Sequence, residues 1–141
     1  MASAPTPDDM AATHRVAFTQ SRPWSTGEFT ALLDSPLTFA IGDARCFALV
    51  RVIADEAELL TIATHPDHQR QGLARQVMKD WQAQARTRGA DQAFLEVAAD
   101  NTPAQALYQS SGFATCGTRP GYYPRSGAAP VDAVLMKRSL R

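Results

Sequence analysis

Two stretches of the sequence hold residue types that can do chemistry. The first is Gln69-Arg70-Gln71-Gly72-Leu73-Ala74, which follows an apolar run and opens an amphipathic one. The first backbone N–H groups of a helix have no intrahelical partner, and a glycine lets an anionic group come close to the main chain. On its own the stretch is either a phosphate site or a turn glycine with polar neighbours. It has neither the GxxxxGK[ST] spacing of a Walker loop nor a GxGxxG pattern. The second is Glu96, set in Phe94-Leu95-Glu96-Val97-Ala98. A carboxylate in an apolar strand should have its pKa raised by desolvation, which brings a general base towards neutral pH. The alternatives are a glutamate on an exposed edge face, or one paired with an arginine.

The elements that must position these residues can be read from pattern. Asp8 and Asp9 followed by "MAATHRVAF" predict a capped helix, with residues 1–8 frayed or loosely attached. "STGEFTALLDS" predicts a second, short helix, with Ser25 or Thr26 and Glu28 in a capping-box pattern. "LTFAIGD" and "RCFALVRVIA", separated by the Gly42-Asp43 turn signal, and then "LLTIAT" after "DEAE", predict a three-stranded antiparallel meander. Leu73, Val77, Trp81 and Ala85 form an apolar stripe along a helix over 72–88, ended by Arg88-Gly89. "QAFLEVAA" reads as a central strand covered on both faces. "TPAQALYQSSGF" reads as a helix with Pro103 in its first turn, for which Asn101 is a natural N-cap. Two strands, "FATCGTRP" and "VDAVLMKRS", joined by a Gly, Tyr and Pro-rich loop over 120–130, close the chain.

This order implies an α/β or α+β mixed sheet in which residues 58–98 form a parallel crossover. Ligands in such sheets favour the crevice at the carboxyl ends of the parallel strands, here near Thr64 and Ala98. The length of 141 residues fits a single domain over 1–141, and 45% hydrophobic with 20% charged residues fits a folded globular chain. Fourteen Lys and Arg balance fourteen Asp and Glu, which leaves no broad basic surface for nucleic acid. No apolar run approaches membrane-spanning length, and the first residues lack the pattern of a secretory signal, so no membrane partner and a cytoplasmic location are expected. Cys46 and Cys116 lie far apart, and neither has metal-ligand spacing to His14, His65 or His68. Reduced, buried thiols and no metal are the expectation.

With the strand ending "TIATHPDHQ" in front of it, the pattern Q-x-x-G-x-A resembles the acyl-CoA pyrophosphate loop of the GCN5-related N-acetyltransferase (GNAT) family. The resemblance continues through "FLEVAADNTPAQALYQSSGF" and "GYYP" to cover residues 58–124, and is nearest to the RimI-type N-alpha-acetyltransferases of ribosomal proteins. "RPWSTGEF" also resembles an early helix of that subfamily. Ala74 stands where many relatives have a second glycine. The resemblance implies a mostly antiparallel mixed sheet with a central parallel strand pair, flanked by about four helices. It also implies acetyl-CoA as co-substrate. The amides of Arg70, Gln71, Gly72, Leu73, Ala74 and Arg75 would hold the pyrophosphate, and the main chain of Ile62, Ala63 and Thr64 would pair with the pantetheine arm as an added strand does, which needs a splayed or bulged strand. Asn101 would contact CoA, cap its helix, or both.

By the same resemblance Glu96 is the base that takes a proton from the attacking amine, directly or through water. Tyr108, otherwise a packed helix tyrosine, donates a proton to the leaving CoA thiolate. Trp24 and Tyr122, the latter beside Tyr123, border the acceptor groove, although core packing is an equal reading for Trp24. The acids Asp55, Glu56 and Glu58 read as a polar hairpin turn rather than a site for a basic peptide. The implied activity is acetyl transfer to a protein N-terminal amine, the N-terminal alanine of a small-subunit ribosomal protein being the suggested acceptor. The alternatives are a small amine, a lysine side chain, or a non-catalytic acyl-CoA-binding module.

Overall fold

The computed structural model describes residues 4–18 and 22–141. Helix α1 (Pro7–Ala17) starts from a capping box: Thr6 Oγ1 accepts from the Asp9 amide at 3.1 Å, and the Asp9 carboxylate accepts from the Thr6 amide at 3.2 Å. The expected loose segment is therefore shorter than 1–8. Residues 6–8 are cap and first turn, and residues 1–3 lie outside the described residues. In α2 (Thr26–Leu33) the box is made by Ser25 rather than Thr26, with Glu28 reaching back to the Ser25 amide.

Strands β1 (Thr38–Asp43), β2 (Cys46–Ile53) and β3 (Glu56–Thr64) form the expected antiparallel meander. The first reversal falls at Ala44-Arg45, just past the Gly42-Asp43 signal. Gly42 stays in β1 at φ +107°, where a Cβ would run into the carbonyl oxygen of Cys46. A single 3-10 turn (Pro66–His68) leads to α3 (Leu73–Thr87), β4 (Gln92–Ala98) and α4 (Thr102–Ser110). A long hairpin of β5 (Ala114–Arg125) and β6 (Ala128–Ser139) follows. The sheet order is β1-β2-β3-β4-β6-β5, antiparallel throughout except for the central parallel pair β3 and β4. Among the described residues no helix is long and apolar enough to cross a membrane.

Helices α3 and α4 lie on one face of the sheet. The stripe on α3 does what its spacing predicts: Val77, Trp81 and Ala85 are buried, joined by Met78, against Val50, Leu59, Leu95 and Val97 of the sheet. Arg138 of β6 donates to Gln82 Oε1 on α3 and to the Ser111 carbonyl beyond α4, which ties both helices to the sheet. Helices α1 and α2 cover the other face only over β1 to β3, where Met10, Phe29, Phe47 and Leu49 make a second core.

Three sequence expectations are corrected, the first because of that partial cover. β4 is not covered on both faces: Ala93, Leu95 and Val97 are buried, while Phe94, Glu96 and Ala98 alternate with them on the face that α1 and α2 leave open. The Gly, Tyr and Pro-rich segment 120–130 is not a loop but the extended end of the β5–β6 hairpin. Pro120 and Pro124 are tolerated because β5 is an edge strand whose register with β6 shifts twice between Arg119 and Arg125. Cys46 is buried as expected, but Cys116 is exposed, at another register shift on the same edge strand.

Candidate active site

Strands β3 and β4 pair only over Glu56 to Glu58 and Gln92 to Phe94, then part, while each keeps its other neighbour to the end. An extra residue at Leu60, where the register with β2 shifts, helps to turn β3 away. The V-shaped gap opens at the carboxyl ends of both strands and forms a cleft of about 620 Å³. Leu59 to Thr64 of β3, Glu96 to Ala98 of β4, and Asn101, Leu107 and Tyr108 of the α4 segment all line it. Main chain of β3 is thus available for an added extended ligand, as the strand-addition reading requires.

Among the described residues the start of α3 has no side-chain N-cap, and Gly72, in a left-handed conformation at φ +76°, has nothing within 4 Å of where a Cβ would stand. Arg70 also has a positive φ, +63°, which a residue with a Cβ adopts only at some cost. Uncapped amides at the positive end of a helix dipole, behind a loop open to solvent, suit a phosphate or pyrophosphate. Arg70, Gln71, Gly72 and Arg75 are exposed. Gln69 and Ala74 are the residues of this segment that reach the cleft wall. Asn101 is the N-cap of α4, its Oδ1 accepting from the Ala104 amide at 3.2 Å, and it lines the cleft as well.

Glu96 and Tyr108 approach the gap from opposite faces of the sheet. Tyr108 packs into the core under α3 and is 6% exposed; burial, and to a lesser extent Tyr123, pushes its hydroxyl well above the ordinary phenol range. It therefore holds its proton. Glu96 points the other way, towards the side of α1. Its surroundings differ from the apolar enclosure expected: the side chain is 29% exposed and pairs with Arg119 at 3.1 Å, so the arginine-paired alternative describes it. The opposed placement leaves room for a bimolecular displacement, with an entering group on the Glu96 side and a leaving group on the Tyr108 side.

The remaining wall combines expected and unexpected residues. Trp24 is half-buried, packs on Phe29 with ring centroids 5.6 Å apart, and lines the cleft, so both readings of it hold. Tyr122 is half exposed and stays out of the cleft lining, which Tyr123 enters instead. Arg119 sits over the Tyr122 ring, and Arg125 makes two hydrogen bonds to Asp100, both 2.9 Å, that clip the hairpin end to the turn before α4. Pattern reading missed Arg119, Asp100 and Arg125; the charges in "TRPGYYPR" were the only signal for the two arginines, and Asp100 stands outside that stretch, just before Asn101.

It also missed His14, which is 1% exposed beside the cleft. The Trp24 amide donates to its Nδ1 at 3.0 Å, which leaves the proton of a neutral ring on Nε2, 3.2 Å from Thr61 Oγ1. Burial lowers its pKa to about 4, with Glu28 opposing and Arg22 assisting. A histidine held neutral in the fold stabilises fully above its unfolded pKa of about 6.5 and loses that contribution as pH falls towards its folded value. Urea titrations between pH 7 and pH 4.5 should show stability falling by about 1.4 kcal/mol per pH unit below pH 6.5. Replacing His14 by Gln should flatten that slope, and an unchanged slope would contradict the assignment.

Comparison with known proteins agrees with this geometry. Residues 10–113 match the model of the acetyltransferase (GNAT) family. The [ribosomal protein bS18]-alanine N-acetyltransferase of Escherichia coli (strain K12) is 36% identical over 140 residues, covering 96% of this chain and 94% of that protein. The crystal structure of the ribosomal-protein-S18-alanine N-acetyltransferase from Escherichia coli superposes with a TM-score of 0.85 at 32% identity, covering 95% of this chain and 87% of that one. Arabidopsis thaliana NAA60 in complex with acetyl-CoA shares the fold at a TM-score of 0.81 and 16% identity, covering 97% of this chain and 96% of that chain.

Proposed function

The chain belongs to the GNAT family and is an N-acetyltransferase, and we propose that its acceptor is a protein N-terminal amine, the N-terminal alanine of a small-subunit ribosomal protein. The observation that carries the reading is the gap between β3 and β4 with Glu96 on one side and Tyr108 on the other. Identity of 36% over nearly the whole chain with a bS18-alanine N-acetyltransferase supports the choice of acceptor. Such a reaction would take place in the cytoplasm, where ribosomal proteins are made.

Acetyl-CoA supplies an acetyl group on a thioester, and the uncapped start of α3 fits its pyrophosphate. The amides of Arg70 to Arg75 would hold that group. Ile62, Ala63 and Thr64 would pair along the pantetheine arm, with an amide near Ala63 or Thr64 polarising the thioester carbonyl. Asn101 lies beside that path. Glu96 accepts a proton from the amine, directly or through water, and Tyr108 directs its proton at the departing sulfur. An α-amine has a reference pKa near 8, so deprotonation asks little of Glu96, and positioning supplies much of the rate. Arg119 occupies one oxygen of Glu96 and is a competitor that the incoming ammonium must displace or share. Trp24 and Tyr123 would border the acceptor, with Tyr122 further out.

Replacing Gly72 by Val tests the donor end. A β-branched residue at φ +76° should shift the loop and raise the KM for acetyl-CoA on the order of tenfold, matching the ~1–2 kcal/mol by which a Cβ disfavours that conformation. An unchanged KM would place the pyrophosphate elsewhere. The acceptor is tested by mass spectrometry of protein N-termini from cells with and without this protein. Loss of the acetyl group from one ribosomal protein is expected, and identical N-termini in the two samples would reject this acceptor.

A further inference from the structure

Three aromatic rings and one strand meet at His14. Its imidazole stacks on Phe18 with centroids 3.8 Å apart and on Trp24 at 5.3 Å, and meets Phe29 edge-on at 5.5 Å. Each ring nitrogen has a different partner: Nδ1 accepts from the Trp24 main chain in the segment before α2, and Nε2 faces the hydroxyl of Thr61 on β3. Phe18, Trp24 and Thr61 all line the cleft. Thr61 is 7% exposed and immediately precedes Ile62 and Ala63, the strand segment on the donor side.

We propose that His14 is a positioning residue that fixes the acceptor wall, Phe18 and Trp24, at a set distance from the donor strand β3. The inference rests on the N-acetyltransferase reading of the cleft. A bland aromatic would fill the same volume, so packing alone does not call for an imidazole. What the imidazole adds is a donor and an acceptor on opposite edges of one rigid plane, which joins two segments that share no backbone ladder. The neutral ring keeps that polarity, because burial disfavours the doubly protonated form in which Nδ1 could no longer accept. Neither nitrogen is free to act on the substrate.

The test uses Thr61→Val, which removes the hydroxyl while keeping the branched shape, with Thr61→Ser restoring it, and His14→Asn, which keeps an acceptor near Nδ1 but no partner for Thr61. Acetyl transfer is measured on a short peptide with a free N-terminal alanine, and acetyl-CoA affinity by calorimetry. Thr61→Val and His14→Asn should lower kcat/KM for the peptide by roughly fivefold or more, the usual scale for losing one buried hydrogen bond, with acetyl-CoA affinity within about twofold of the parent and Thr61→Ser near parent values. Lower stability with unchanged kinetics of the folded enzyme would overturn the proposal, and so would an equal loss of acetyl-CoA affinity. A second readout does not depend on activity. Trp81 is fully buried, so iodide quenching of tryptophan fluorescence reports on Trp24. Quenching should increase in Thr61→Val and His14→Asn, and unchanged quenching would also overturn the proposal. An inactive parent would instead count against the proposed acceptor, leaving the quenching result to decide the role of His14.

Discussion

Tyr108→Phe should lower turnover on the order of 100-fold while leaving acetyl-CoA affinity within about twofold, the scale expected when one positioned proton donor is removed. Tyr108 is buried on the α3 side of the gap, where the leaving sulfur would sit, and burial holds its proton in place. A phenol whose proton affinity has been raised is a weak acid in isolation but a steady hydrogen-bond donor. Its effect should therefore be confined to the step in which negative charge develops on sulfur, leaving ground-state binding untouched. The ring is retained in the variant, so packing against Phe113 and Leu107 in the α3-side core changes little. The readout is kcat from steady-state kinetics beside a calorimetric dissociation constant. Turnover within about twofold of the parent would exclude an indispensable acid.

Glu96→Gln should cost on the order of tenfold to 100-fold in kcat/KM at neutral pH, and the deficit should shrink as pH rises past the α-amine pKa near 8. Glutamine keeps the shape and can still accept a hydrogen bond, but it cannot take a proton. Above pH 8 the amine arrives neutral and the base becomes dispensable for activation. Arg119 sharpens the expectation, because it loses its ionic partner in the variant. A deficit that stays constant from pH 7 to pH 9.5 would give Glu96 a positioning role instead.

The fold was legible because its signals were local. The acidic first turn at Asp8-Asp9, the capping box before α2, the four-residue apolar stripe of α3, and the glycine turn at Gly72 each specify an element from neighbouring residues alone. Where the reading failed, the deciding contact was remote. Glu96 meets Arg119 because β6 lies between their strands and its Leu135 and Ala133 set the register, a relation that no sequence spacing encodes. His14 looked like a spare histidine until α1 laid it against Thr61, 47 residues away. The hairpin over 114–139 was misread because glycine and proline mark turns on average, yet an irregular edge strand accommodates both. β4 looked central and doubly covered, and it is central. Its open face exists because the two N-terminal helices stop at β3, and that open face is the floor of the cleft.

The central claim is that this cleft transfers an acetyl group to a protein N-terminus. It is tested most directly by presenting the purified protein and acetyl-CoA with two peptides of one sequence, beginning with alanine and carrying an internal lysine, one with a free and one with a blocked N-terminus. Acetylation of the free peptide at its α-amine, with no transfer to the blocked one, is the predicted result. Equal acetylation of both peptides, or transfer to the lysine alone, would contradict it.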